Sequence, residues 1–132
     1  MSTSIDKTLG TLSEKMAATW LIYVDAWNAE NQSDRKRLLS EAGVVDSNYV
    51  DPNVDLHGHN SLAEYMGEFH NQMPGAKFVL TRFISHHQKS IACWDVHDKS
   101  GTTLFSGVSY GTYNAEGKLT AEHGFFETSD NE

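Results

Sequence analysis

The stretch KFVLTRFISHHQKSIACWDVHDKSGTTLFSGVSYGTYNAEGKLTAEHGFFE, residues 77–127, decides the fold. It is dense in β-branched and aromatic residues, which favour extended chain, and it is cut at short intervals by turn chemistry. Four strands are predicted: KFVLTRFISHH, SIACWDVHD, TTLFSGVSYGTY and KLTAEHGFFE. They are separated by Gln88-Lys89, by Asp98-Lys99-Ser100-Gly101 and by Asn114-Ala115-Glu116-Gly117. Connections this short join antiparallel neighbours, so the segment reads as a meander.

The chain before Gly75 has a different period. Leu9, Leu12, Met16, Trp20, Tyr23, Val24 and Trp27 recur every three or four residues, which predicts one long helix ending near 28–31. Ser33 is placed to cap a second, short helix that Asp34 supports and Gly43 stops. Ser61-Leu62-Ala63-Glu64 has capping-box spacing ahead of Leu62, Tyr65, Met66 and Phe69, and Pro74-Gly75 ends that third helix. The 44–53 region supplies one further strand. Helices first and strands afterwards predict an α+β class: a curved sheet with three N-terminal helices on one face, in a single domain spanning 1–132. The polar tail, 128–132, is expected to fray.

Charge narrows the partners. The chain carries 18 acidic against 10 basic residues, a net −8, and its one basic cluster is Arg35-Lys36-Arg37. Phosphate neutralisation needs the opposite balance, so nucleic acid and anionic membranes are not expected partners. No apolar run approaches the roughly 18 residues of a spanning helix, and MSTSIDKTLG lacks the apolar core of a secretory signal, which makes the cytoplasm the expected compartment. The single cysteine, Cys93, stands in apolar IACW and reads as a buried, inert thiol. No phosphate loop or nucleophile elbow is present in the sequence, so no cofactor is expected. His57-Gly58-His59 has near-ligand spacing but no companion pattern, and no metal site is expected.

Four stretches carry a family likeness: YVDAWNAEN late in the first helix, YVDPN, GHNSLAEYM, and FSGVSYGTYNAEGKL. In order and spacing they resemble the nuclear transport factor 2-like superfamily, in its SnoaL-like and ketosteroid-isomerase-like branch. The resemblance implies a cone-shaped roll with a pocket between the helices and the concave sheet face. It also implies a homodimer joined through the outer face, and a small apolar organic molecule as ligand.

The resemblance assigns roles residue by residue. Tyr23 matches the tyrosine that hydrogen-bonds a developing oxyanion. Asp51 matches the proton-shuttling aspartate. The third, acidic donor of the isomerases falls on Ser109, which is a weaker donor. AEHGFFE resembles the terminal-strand stretch of SnoaL-like cyclases and brings in His123 as an auxiliary acid or orienting group, although the cyclases' later acidic residue falls near Phe125.

From the residues themselves, two readings of Asp51 stand: an Asp before Pro that starts a bend, or an extended residue that Pro52 holds with its carboxylate turned into a pocket. Trp20, Trp27, Tyr65, Met66 and Phe69 are the expected walls; Tyr49, Arg82 and Ser109 complete the expected ligand-binding set. Arg82, in an apolar strand, either leaves the sheet for water or pairs with Asp51 or Asp95. Asp95 and His97 read as surface or dimer-face residues.

Overall fold

The computed structural model describes residues 10–128. Nine elements follow in order: helix α1 (Leu12–Asn28), helix α2 (Gln32–Ala42), strand β1 (Gly43–Asp51), strand β2 (Val54–His57), helix α3 (His59–Gln72), then strands β3 (Lys77–His86), β4 (Lys89–His97), β5 (Thr103–Tyr113) and β6 (Leu119–Phe125). The six strands form one mixed sheet in the order β2-β1-β6-β5-β4-β3. The meander β3 to β6 is antiparallel throughout, and β1 joins it by pairing parallel to β6. Register breaks between Leu80 and Arg82, between Val96 and His97 and between Thr112 and Tyr113 bend the sheet, as an unpaired extra residue does.

Local chemistry departs from the sequence reading at the helix starts. Helix α1 opens on a capping box: Thr11 Oγ1 accepts from the Glu14 amide at 3.1 Å while Glu14 Oε1 accepts from the Thr11 amide at 2.8 Å. Leu9 lies outside the described residues, as do 129–132 of the tail. Asn31, not Ser33, caps α2, because its Oδ1 reaches the Asp34 amide at 2.9 Å and Ser33 itself donates to that oxygen. Helix α3 begins at His59 after Gly58, whose φ of +84° suits glycine, so the Ser61 box lies inside the helix. Strand β2 was not foreseen; it closes a tight hairpin with β1 through Asp51-Pro52-Asn53-Val54. The β3–β4 turn falls on His87 and Gln88, both at positive φ.

The core lies between the helices and the inner sheet face, around Met16, Trp20, Leu62, Met66 and Leu119, all essentially sealed from water. Trp27 sits at its centre against four rings, Tyr49, Tyr65, Phe69 and Phe78, at centroid distances of 5.0 to 6.0 Å. Each such contact contributes roughly 0.5–1.5 kcal/mol beyond area burial. Among the described residues no helix is long and apolar enough to cross a membrane.

Candidate functional site

Strand β1 delivers Tyr49 and Asp51 to the inner face, since alternate residues of a strand share a side. Pro52 holds Asp51 extended at the strand's end. There the carboxylate does two jobs. Its Oδ1 accepts from the amides of Asn53 (2.8 Å) and Val54 (3.2 Å), forming the bend. Its Oδ2 accepts from the phenols of Tyr49 and Tyr65, each at 2.7 Å. Both sequence readings of Asp51 therefore describe part of the geometry: one oxygen shapes the turn and the other looks into the fold.

A carboxylate offers about four lone-pair positions, and four donors occupy them here. Burial is the largest influence on the phenols: it pushes Tyr49 and Tyr65 well above the ordinary 10, and the neighbouring Asp51 carboxylate adds to the effect. Both rings thus stay protonated and act as donors.

These groups line a cavity of about 210 Å³ between the helices and the inner sheet face. Trp20, Tyr23, Trp27, Tyr49, Asp51, Tyr65, Phe69 and Ser109 all face it, as expected. Tyr23 is buried, which raises its phenol well above 10 with help from the charge of Glu122. Ser109 Oγ accepts from Trp94 Nε1 at 3.0 Å, leaving its own hydrogen to donate.

Three expected site residues lie elsewhere. Met66 is wholly enclosed in the core beneath the cavity. Arg82 follows the register break after Leu80 and is exposed beside Cys93, with no ion pair to Asp51 or Asp95 among the described residues. His123 pairs with Val50 and Tyr110 on the outer face, 5.8 Å from the Tyr110 ring, so strand alternation turns it away from the cavity. Its neighbour Glu122 points inward instead. Glu122 is 2% exposed, its Oε1 has no hydrogen-bond partner, and burial pushes its carboxyl from 4.5 up to about 8.

Other expectations resolve simply. Asp95 and His97 do contact each other, Oδ2 to Nε2 at 3.6 Å, on the outer face. Cys93 is half-buried there rather than enclosed. His57 is exposed beside Asp55, and His59 is the first residue of helix α3.

The sequence reading missed Phe78, Leu80, Trp94 and Phe105, which line the cavity from β3, β4 and β5, and Glu68 and Gln72, which approach from α3. The signals were present: the strand residues alternate in step with the inner face, and the helix residues follow Tyr65 at helical spacing. Among the described residues the lining contains two acids, Asp51 and Glu68, and no Lys, Arg or His. These described residues suit uncharged molecules and offer no cation to neutralise an anion.

A model of the SnoaL-like domain matches residues 22–122. Among solved structures, the chain is similar to a SnoaL-like family protein from Agrobacterium tumefaciens strain C58, provisionally assigned as an isomerase, with 24% identity, a TM-score of 0.79, and coverage of 86% of this chain and 98% of that one. It is similar to a provisionally assigned SnoaL-like polyketide cyclase from Jannaschia sp. CCS1 at 12% identity and a TM-score of 0.70, covering 86% and 85%. A third likeness is to TerC, co-crystallized with polyporic acid, at 18% identity and a TM-score of 0.69, covering 88% and 94%. At such identities the structures establish the fold alone. No curated protein matches the sequence.

Proposed function

This chain belongs to the SnoaL-like domain family, and from that premise we propose that it is an isomerase- or cyclase-type enzyme moving a proton on an uncharged, largely apolar, carbonyl-bearing molecule. One observation carries the reading: a carboxylate oxygen in the cavity wall, Asp51 Oδ2, is held by two phenols at 2.7 Å. Tyr65 is the half-buried member of that pair, whereas Tyr49 is buried, so Tyr65 is the one free to yield to a ligand.

The proposed step exchanges hydrogen bonds. Tyr65 releases Oδ2 and donates to the substrate's carbonyl oxygen. Asp51 then takes a proton from the adjacent carbon, and the electron pair of the C–H bond moves onto the oxygen that Tyr65 faces. Return of the proton to another carbon completes an isomerisation. Tyr23, kept protonated by burial, is the second candidate donor to that oxygen.

The test is loss of α-protons from cyclic ketones in deuterium oxide, followed by NMR. Exchange is expected to fall about a hundredfold or more in Asp51→Asn, with ketone affinity held within about threefold. The filled acceptor positions of Asp51 favour a second reading, in which it is an anchor and the pocket only binds. Wild-type exchange no faster than that of Asp51→Asn would favour that reading.

We further propose a homodimer. The outer face of the sheet carries Val79, Ile84, Ile91, Leu104, Val108 and Phe125, all large, apolar and exposed, with Phe125 at 62%. An apolar patch of this kind on one sheet face fits a second copy of the chain.

A further inference from the structure

Exposure locates the mouth of the cavity. Among the described residues that line it, only Asn53, Glu68 and Gln72 are exposed, whereas Trp20, Tyr23, Trp27 and Tyr49 are buried. Asn53 belongs to the β1–β2 bend, and Glu68 and Gln72 stand one turn apart on one face of α3. A ligand therefore enters between that bend and the C-terminal half of α3.

Glu68 is the charged member of the three, and its charge is uncompensated. It makes no ion pair and no side-chain hydrogen bond among the described residues, and the described lining holds no Lys, Arg or His to offset it. Asp51 differs, because four donors surround its carboxylate. The field of Glu68 reaches inward as far as Tyr65: burial and Asp51 raise that phenol above 10, and the Glu68 charge adds to them. An entering anion is repelled with no neighbouring cation to relieve it; an uncharged molecule is not.

We propose that Glu68 is a specificity-determining residue, which turns away molecules that carry a carboxylate and admits the ketone, ester or amide of the same shape. This deepens the proposed function and rests on its pocket, since it states which carbonyl compounds reach Asp51 and Tyr65. The selection acts through charge, so it weakens as salt screens the exposed carboxylate.

The probes are 3-benzoylpropionate and 3-benzoylpropanamide, which share a phenyl ketone and differ at the far end in charge. They are titrated at neutral pH against the indole signals of the full chain in NMR spectra. The wild type is expected to bind the amide about fivefold more tightly or better at low salt, and the ratio should shrink in 0.5 M salt. Glu68→Gln, an exposed helix substitution that should melt as the wild type does, is expected to bring the ratio within about twofold by strengthening the acid. Glu68→Lys should reverse it. Glu64→Gln removes the same charge from α3 outside the lining and should leave the ratio as it was. A ratio that survives in Glu68→Gln and Glu68→Lys, or one that Glu64→Gln narrows equally, overturns the selector and leaves the pocket standing. Binding of neither probe by any of these proteins overturns the pocket reading together with this one.

Discussion

Tyr65 on α3 and Asp51 on β1 are joined by a 2.7 Å hydrogen bond that ties the helical layer to the end of the sheet at the cavity wall. A phenol donating to an ionised carboxylate contributes roughly 1–3 kcal/mol. Tyr65→Phe should therefore lower the unfolding free energy by about that amount in denaturant titrations. If Tyr65 also moves its hydrogen to a substrate oxygen, the same variant should lower kcat with little change in KM. A fall in stability with unchanged turnover would confine Tyr65 to an anchoring role.

Glu122 gives the protein a pH dependence of unusual sign. Its folded carboxyl titrates near 8 against 4.5 when free, so the folded state holds a proton that the unfolded state has lost. Its contribution to stability is then fully present below about pH 4.5 and decreases as pH rises to about 8, by roughly 1.4 kcal/mol per unit at most. His59, which burial holds below 6.5, acts oppositely: the stability it costs on protonation returns as pH rises through 6.5. The difference between wild type and Glu122→Gln isolates the carboxyl. Denaturant midpoints measured from pH 5 to 8 should fall more steeply in the wild type, and parallel curves would show that Glu122 ionises freely.

The architecture was legible because period and punctuation act locally. The stripe through Met16, Trp20, Tyr23 and Trp27 and the turns at 98–101 and 114–117 give helix and meander without knowledge of the third dimension. Asp51, Tyr23 and Ser109 were found through family likeness and share one cavity. Met66 was drawn from a helical stripe whose deepest position lies in the core, whereas the two strand residues that went astray, Arg82 and His123, share one reason. Which face of a strand looks inward depends on register, and register is set by pairing with distant chain. A shift of one residue exchanges His123 for Glu122, and the break after Leu80 carries Arg82 to the outside. The two phenols on Asp51 were likewise invisible, because Tyr65 reaches it across fourteen residues from another layer.

The apolar outer face predicts concentration-dependent assembly. Ile91 is 40% exposed and pairs with Ile84 on β3 and Tyr110 on β5. A charge there should be tolerated in a monomer and opposed in a buried interface. Sedimentation at micromolar concentration should find a dimer for the wild type and a monomer for Ile91→Lys. A wild type that stays monomeric at those concentrations removes the face as an interface between copies.

Gly107 supports the site from beneath. It pairs with Trp94 across β4 and β5, and the indole lies flat over it, so that an added Cβ would stand 2.3 Å from Trp94 Cζ2 and 2.8 Å from the Phe125 carbonyl. Neither the ring nor the backbone can yield that much without repacking, since Trp94 is itself wedged among Phe78, Phe105 and Phe126. Gly107→Ala should cost about 1–3 kcal/mol or more, as overpacking of a filled interior does. It should also pull Trp94 Nε1 away from Ser109 and so remove the 3.0 Å hydrogen bond that Ser109 Oγ accepts. In Gly107→Ala, ligand affinity and melting temperature should fall together, because Trp94 lines the cavity. Should Gly107→Ala melt like the wild type, the indole is not seated on that glycine, and the orientation assigned to Ser109 goes with it.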